Sequence, residues 1–576
     1  MNLPTAVLGL LFLLGSLLVA AYARRRTQTV LEFYLAGRRI GAFANASAIC
    51  GDYFSAASFL GVAAAVYTSG LDGVWFATGF AAGLVPVLMF LAAPIRRSGA
   101  FTIPEFLGYR FQSRAVRWLA VAIIQLVVFL YLIPQMVGLG ETWTVALGIP
   151  LPGLTPYDTG VLVGAALLAV YVALGGMRAT TWQQIFFFWF FFSAVILVVA
   201  LAYIHGFSYS EALTELASQA LLNARLVEGR WEVVQDPNRL HPDRIARFGE
   251  PGHRYSPVEQ VSIVLGLILG TCGLPHILIR HLTSPSGRLA RDAGTYTVVL
   301  AVLYYAPAVA AGVAARAMLP DILARDPRYA PLAVGSHLKS PEQAMLVLAG
   351  GLGGDVAMGF VAAGAFAAIL STMSGLLLAG AASLSHDVYV ADINPSASER
   401  QQILVGRLAV LGIGLASLVL GVALKRAGIL HVYPSAVAVM VSWVFAVAGA
   451  ALFPVLLAAI WWKRATAGGA IAAMLVGAGG TLALIGLHVA RAAQLVSEPR
   501  WLRAVADLSF PSLITVPAAA LALVAGSLAS RRLPAGVEEL WMRMHGTAAE
   551  RQAVRLAQAS EVIKPAAAAA SGPAAD

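Results

Sequence analysis

Charged side chains are scarce in this sequence, and their scarcity limits what the protein can be. Only 12% of the 576 residues are charged, whereas 59% are hydrophobic. Soluble domains carry roughly twice that charged share. Both cysteines, Cys50 and Cys272, stand within apolar runs, which excludes a disulfide framework. The sequence also lacks the His-Glu-x-x-His spacing of zinc peptidases and a nucleophile elbow within an apolar run. These absences argue against a soluble protein and against an intramembrane enzyme.

What the chain does contain is a series of apolar runs of about 20 residues, the length that crosses a lipid bilayer. The basic residues behind the net charge of +10 stand in the gaps between these runs rather than in one patch, so no nucleic-acid partner is expected. We therefore predict an all-α integral membrane protein, with about 13 transmembrane helices of this length.

The positions of the basic residues also predict the topology, because cytoplasmic loops carry an excess of Lys and Arg. With the N-terminus outside, most basic gaps fall on the inner side. We expect a multi-pass protein of the plasma (inner) membrane whose C-terminus is cytoplasmic. The predicted cytoplasmic groups include Arg24–Arg26, Arg38-Arg39, Arg96-Arg97, Arg280 with Arg288 and Arg291, and Lys463-Arg464.

Two apolar runs are interrupted by small and polar residues. The first break is Gly51-Asp52-Tyr53-Phe54-Ser55, and the second is Gly270-Thr271-Cys272-Gly273-Leu274-Pro275-His276. An ionisable group such as Asp52 at membrane depth marks an ion or substrate pathway by default. Paired Gly/Pro-interrupted spans in the two halves of a chain indicate the central site of a secondary transporter. We therefore predict that both helices are discontinuous, at about 51–54 and 270–274, because small residues and proline interrupt them there.

A third segment adds oxygen ligands. Ala368, Ser371 and Thr372 stand at i, i+3 and i+4, so they share one helical face. That face offers two hydroxyls and a backbone carbonyl, which suits a hard monovalent cation. Serine and threonine in membrane helices also commonly bond to the carbonyl four residues back, so the pattern alone leaves both interpretations open.

The chain resembles the sodium:solute symporter family over about residues 3–530, a range that includes the two breaks and this third segment. Its C-terminal signature is matched by Ala459-Ile460, Arg464, Gly469-Ala470 and Ala473-Met474-Leu475-Val476-Gly477. Segments 51–61, 179–182, 273–278 and 385–389 are similar to the acetate permease branch, the cation/acetate symporters.

The resemblance implies a leucine-transporter-like fold with two inverted five-helix repeats. It divides the chain into an extra N-terminal transmembrane helix (1–25), a first repeat (40–205), an extracytoplasmic loop (206–257), a second repeat (258–462), two additional helices (463–530) and a cytoplasmic tail (531–576).

The resemblance also implies Na+ as the coupling ion. Its ligands would be the carbonyls of Gly51 and Phe54 together with Ala368, Ser371 and Thr372. One departure stands out. In the sugar and proline branches an aspartate lies near the ion path, where this chain has Gln184 in Trp182-Gln183-Gln184, and this weakens an assignment to either branch.

An anionic substrate would not bind directly against an ionised Asp52, so we expect that carboxylate to be offset by the bound cation or protonated. The substrate carboxylate is better met by N–H groups at the start of the half-helix that begins at Pro275. No arginine or lysine is predicted inside the second or seventh span. The substrate-binding candidates are Asp52, Tyr53, Thr271, Cys272 and Gly273.

The sequence thus predicts a symporter that imports a short-chain, acetate-like monocarboxylate together with sodium. Proton coupling through Asp52 and a larger monocarboxylate such as pyruvate or propionate are alternatives. An alternative of another class is a membrane sensor built from a symporter-like domain. The tail of about 45 residues is too short to form a kinase domain, which argues against this alternative.

Overall fold

Nearly all of the chain that can be described is helical. The computed structural model describes residues 3–24, 29–227, 230–235, 247–426, 435–492, 508–530 and 536–553. The α-helices are α1 (Leu3–Arg24), α2 (Val30–Leu35), α3 (Ala42–Tyr53), α4 (Val62–Ser69), α5 (Val74–Pro86), α6 (Ala92–Ser98), α7 (Ile103–Phe111), α8 (Arg114–Ala146), α9 (Pro156–Ile204), α10 (Tyr209–Leu216), α11 (Pro257–Thr271), α12 (Pro275–Leu282), α13 (Gly287–Arg325), α14 (Ala344–Ala382), α15 (Glu399–Arg426), α16 (Ala436–Ala451), α17 (Phe453–Trp461), α18 (Ala467–Ala492), α19 (Ser512–Ala529) and α20 (Val537–His545).

Tighter or wider helical turns and two short hairpins complete the fold. Wider π-type segments span Ala57–Gly61, Val87–Leu91 and Ser383–Ile393, and 3-10 turns span Ala36–Arg38, Gly70–Gly73, Pro327–Leu332 and Pro341–Gln343. The antiparallel hairpins are β1 (Leu222–Val227) with β2 (Arg230–Gln235) and β3 (Ala333–Val334) with β4 (His337–Leu338).

The helices have the length and polarity of a membrane protein. Within the described residues, 10 helical stretches are long and apolar enough to cross a membrane, and two shorter apolar helices lie at Val7–Ser16 and Pro156–Ala169. The all-α membrane class is confirmed. Each membrane span requires about 20 residues, and the number of about 13 transmembrane helices remains a prediction.

The predicted break in the first interrupted run is confirmed. Helix α3 ends at Tyr53, and Phe54 is extended, with φ −82° and ψ 90°. The chain then resumes through the π-type turn Ala57–Gly61 into α4. Small residues allow this because they let neighbouring helices approach the unwound backbone closely.

The second predicted break is confirmed as well. Helix α11 ends at Thr271, and α12 begins at Pro275 after an extended Leu274 (φ −74°, ψ 115°). Proline suits the first position of a helix because its missing N–H would have no intrahelical partner there. Pro275 therefore fixes where the second half-helix starts.

Two predicted spans, 157–175 and 184–204, form the single element α9. Its axis changes direction at Gly176, which has φ 59° and ψ −165°. This conformation is open to glycine because it carries no Cβ, and a methyl group here would also overlap the ring of Phe33. Gly354 (φ 67°) makes the equivalent turn inside α14.

The predicted extracytoplasmic loop is anchored by a buried carboxylate. Asp72, in the turn Gly70–Gly73, accepts hydrogen bonds from the backbone N–H groups of Gly252 (2.7 Å) and Arg254 (2.6 Å). It also accepts one from Nε2 of Gln260 at 3.0 Å. The described end of the loop is thereby fixed to the connection between α4 and α5.

Several predicted segments fall partly outside the described residues. These parts are residues 1–2 and 25 of the N-terminal segment, 228–229 and 236–246 of the loop, 427–434 of the second repeat, 493–507 between the last two helices, and 531–535 and 554–576 of the tail.

We expect Asp72→Ala to release the loop end. Loss of charge-assisted hydrogen bonds, each worth about 1.5–3 kcal/mol, should speed hydrogen exchange at the amides of Gly252, Arg254 and Tyr255 by about tenfold or more. Exchange mass spectrometry of the purified protein would measure it. Asp321→Ala removes an exposed carboxylate on α13 and is the matched control. Equal protection in the two variants would contradict the anchoring role.

Candidate ion and substrate site

The two helix breaks meet each other. The hydroxyl groups of Tyr53, at the end of α3, and Thr271, at the end of α11, lie 2.8 Å apart. The Tyr53 hydroxyl also lies 2.9 Å from the carbonyl of Phe80 in α5, and the Thr271 hydroxyl lies 2.8 Å from the carbonyl of Leu267. Because each hydroxyl has one proton to donate, one of them donates to the other hydroxyl and the other donates to its carbonyl. Two unwound segments from separate halves of the chain therefore share one buried polar region.

A buried ion pair joins α3, which precedes the first break, to α12, which follows the second. Nε of Arg280, on α12, donates to Oδ2 of Asp52 at 2.9 Å, and both side chains are fully buried. Nη1 of Arg280 donates to the hydroxyl of Thr181 on α9 at 2.8 Å. A side chain at Gly375 of α14 would overlap the Asp52 carboxylate, so four helices close around this pair.

This pair corrects two sequence-based predictions. Arg280 was expected in a cytoplasmic loop. It lies instead on α12, within the helical stretch Pro257–Leu282, which is long and apolar enough to span a membrane. An arginine therefore does lie inside the seventh span. The partner of the Asp52 carboxylate is a guanidinium, whereas we expected a bound cation or a proton. An arginine is tolerated at membrane depth when a carboxylate faces it.

Of the predicted sodium ligands, Thr372 contacts the first break directly. The hydroxyl of Thr372 donates to the carbonyl oxygen of Asp52 at 2.7 Å, which places α14 against the end of α3. The hydroxyl oxygen of Ser371 is buried without a hydrogen-bond partner among the described residues. Ala368 lies one turn earlier on the same buried stretch of α14, and Gly51 and Phe54 flank Asp52 on either side.

Gln184 lies beside the ion candidates. Its Nε2 donates to the carbonyl of Ser371 at 2.9 Å and to the hydroxyl of Ser374 at 3.3 Å. A methyl group at Gly51 would overlap the carbonyl oxygen of Gln184. The side-chain amide of Gln184 therefore holds α9 against α14, while its backbone packs closely against α3.

The predicted substrate residues are all buried, but they do not form one open surface. Tyr53 and Thr271 bond to each other, and Asp52 is held by Arg280. The thiol of Cys272 faces the carbonyl of Ile268 at 3.7 Å. A side chain at Gly273 would overlap the carbonyl of Ala448, so Gly273 serves the close packing of α16.

The two half-helix N-termini differ in how their N–H groups are used. At the first break, the N–H of Ala56 donates to Oε1 of Gln135 (3.0 Å) and that of Ala57 to the hydroxyl of Ser55 (3.2 Å). Helix α12 begins without a side-chain cap. The first N–H groups of a helix have no intrahelical partner. Because Pro275 has no N–H, the groups without a side-chain cap at the start of α12 are those of His276 and Ile277.

His276 lies at this uncapped helix start. Its imidazole is fully buried, and neither ring nitrogen has a hydrogen-bond partner among the described residues. The ring packs edge-on against Tyr131 of α8, with centroids 5.5 Å apart. A buried polar group without a partner is costly, so the position of His276 requires a reason other than packing.

Two comparisons bear on this geometry. The model of the sodium:solute symporter family matches residues 33–477. The chain belongs to the sodium:solute symporter family. The protein is therefore a multi-pass membrane transporter, and the predicted coupling ion, Na+, is confirmed.

Solved structures resemble the symporter at low identity. A Na+-coupled sialic acid symporter is 16% identical, with a TM-score of 0.69 over 92% of this chain and 99% of that chain. A nucleobase-cation-symport-1 family transporter is 13% identical, with a TM-score of 0.49 over 89% and 98% of the two chains. A manganese transporter of Eremococcus coleocola is 13% identical, with a TM-score of 0.47 over 91% and 93%. The first likeness shows a shared fold.

Sequence reasoning missed three residues of this symporter's central region. Arg280 stood at the edge of an apolar run and resembled a loop residue, Gln135 lies mid-helix in α8, and His276 was noted only as part of a motif. Each carried a usable signal, since a polar group inside an apolar run requires a buried partner.

We expect Asp52→Asn and Arg280→Met each to destabilise the symporter, because either leaves an uncompensated buried group, at a cost of about 3–5 kcal/mol. The double variant should be less destabilised than the sum of the two. Thermal unfolding of the purified protein in detergent measures the three midpoints.

The control cycle uses the exposed pair Asp321–Arg325, in which Asp321→Asn and Arg325→Met should change stability by less than about 1 kcal/mol. An unchanged midpoint for Arg280→Met would instead mean that Asp52 is compensated by a cation or a proton.

Proposed function

We propose that this symporter imports a short-chain monocarboxylate, such as acetate, together with Na+ across the plasma (inner) membrane. The observation that carries the proposal is the difference between the two breaks. N–H donors at the first break are satisfied by side chains, whereas α12 begins without a side-chain cap, beside an imidazole that has no hydrogen-bond partner among the described residues. A single small carboxylate fits one such set of donors.

The Na+ site in this proposal consists of the carbonyls of Gly51 and Phe54 with Ala368, Ser371 and Thr372. A hydroxyl that donates one hydrogen bond keeps lone pairs for a cation. Thr372 donates to the Asp52 carbonyl, and the Ser371 oxygen has no described partner, so both offer oxygen atoms beside the unwound backbone. Such oxygens replace the water shell of a hard ion.

The substrate site in this proposal is formed by Tyr53, Thr271, Cys272 and Gly273 at the second break, with the imidazole of His276 added. Asp52 contributes indirectly, because its carboxylate neutralises Arg280. The pair therefore adds no net charge that would favour a second carboxylate on the substrate. A monocarboxylate is therefore still expected, although Arg280 lies inside the seventh span.

The proposal keeps the predicted architecture: inverted repeats at 40–205 and 258–462, extra helices at 1–25 and 463–530, the loop 206–257 outside, and the tail 531–576 inside. Rocking of one bundle against the other around the breaks would alternate access. Proton coupling is disfavoured because the Asp52 carboxylate already faces a guanidinium. A symporter-like sensor has no specific contact in its favour.

For sodium, we expect Ser371→Ala and Thr372→Ala to raise the sodium concentration for half-maximal uptake by about tenfold, because each removes one ligand oxygen. Uptake at saturating sodium should fall much less. Proteoliposomes with an imposed sodium gradient provide the measurement.

Ser417→Ala is the matched control, since Ser417 is a buried helical serine that bonds to the carbonyl of Ile413 in α15. Sodium activation that is unchanged in both test variants would direct attention to proton coupling, which a separately imposed proton gradient would reveal.

For the substrate, we expect acetate, propionate and pyruvate to compete for uptake of labelled acetate, while proline and glucose do not. The uncapped start of α12 provides donors for one carboxylate, and the small residues of the breaks offer few partners for a sugar's hydroxyls. Inhibition by proline or glucose, with none by the monocarboxylates, would place the chain in another branch.

A further inference from the structure

A cavity of about 840 Å³ lies away from the central site, and arginines dominate its lining. It opens between the ends of α6 and α13 and the C-terminal segment that contains α20. Its arginines are Arg38, Arg96, Arg97, Arg288, Arg543 and Arg551. Cavities that bind small molecules have volumes of this order, about 300–1,000 Å³.

Backbone carbonyls hold several of these guanidinium groups in place without neutralising them. Arg38 donates to the carbonyls of Gly99 (2.8 Å) and Ala100 (3.0 Å). Arg97 donates to the carbonyl of Met544 at 3.0 Å, which ties the end of α6 to α20. Carbonyls are neutral acceptors. Arg38 and Arg97 are therefore held in position by neutral groups.

The carboxylates near the cavity are too few to balance it. Glu539 pairs with Arg543 at 2.8 Å, and Glu550 lies near Arg551. Glu105 acts on Arg38, but burial still lowers the pKa of that guanidinium. Each of these three carboxylates thus acts on one of the six lining arginines.

Like charges also crowd one another here. Arg97 lies within electrostatic range of both Arg551 and Arg291. The start of α13, where Ser286 caps the helix, contributes its positive dipole end through the lining residue Gly287. A cleft lined by crowded cations in fixed positions attracts anions.

We propose that this cavity binds a phosphate-bearing anion that joins the C-terminal segment to the ends of α6 and α13. Guanidinium groups match phosphate oxygens in a bidentate geometry. The ligand is either the headgroup of an anionic phospholipid, because the cavity borders helices that cross the membrane, or a soluble phosphate compound. The two sources share one recognition chemistry and differ in how they reach the site.

The experiment uses the full-length symporter in nanodiscs of phosphatidylcholine. In the soluble arm, inorganic triphosphate is added at constant ionic strength. In the lipid arm, part of the phosphatidylcholine is replaced by phosphatidylglycerol. The midpoint of thermal unfolding reports binding in both arms, because a ligand of the folded state raises it.

The test variant is Arg288→Gln/Arg551→Gln. Arg288 is exposed, so its replacement leaves the packing intact. The matched control, Arg400→Gln/Arg464→Gln, removes two exposed arginines outside the cavity. Loss of two charge-assisted contacts should weaken binding by about tenfold or more. If the double variant is poorly folded, the same unfolding measurement is made on the single variant Arg97→Gln.

A rise with triphosphate in the wild type and control, absent in the test variant, identifies a soluble phosphate ligand. The same pattern with phosphatidylglycerol, without a triphosphate effect, identifies a lipid headgroup. No rise with either anion in the wild type, or equal rises in test variant and control, overturns the proposal.

Discussion

The Asp52–Arg280 pair is the constraint on which the centre of this transporter depends. Two broken helices expose backbone groups that must be enclosed by protein, because lipid offers them no hydrogen bonds. The ion pair holds α3 and α12 together, and the tyrosine–threonine contact joins the ends of α3 and α11. Asn45 extends the same connection by donating to the carbonyl of Arg280 at 3.0 Å.

Small residues are the second requirement of this arrangement. Gly51, Gly273 and Gly375 each lie where a methyl group would overlap an atom of a neighbouring helix. Close approach of the backbones places carbonyl and hydroxyl oxygens within reach of one another, as at Thr372 and Asp52. The polarity needed for an ion and the packing needed for a membrane bundle therefore come from the same short segments.

Much of the fold could be predicted from the sequence, because membrane spans and helix breaks are local signals. Proline at 275 and the glycines around both interruptions predicted the discontinuities, and the spacing of Ala368, Ser371 and Thr372 predicted a shared face. The partner of Asp52 could not be predicted, because it depends on a long-range contact. Arg280 follows a short apolar stretch, and hydropathy alone assigned it to a loop. Gln135 was missed for the same reason, since its role exists only where α8 meets the first break.

The separation of the two charges along the chain bears on how the protein is made. Asp52 and Arg280 are 228 positions apart. A carboxylate without a partner is unfavourable in the hydrocarbon region, and the first half of the chain is synthesised before its partner exists. The ion pair can therefore form only after α12 has been synthesised, and a truncated first half would contain Asp52 without its arginine partner.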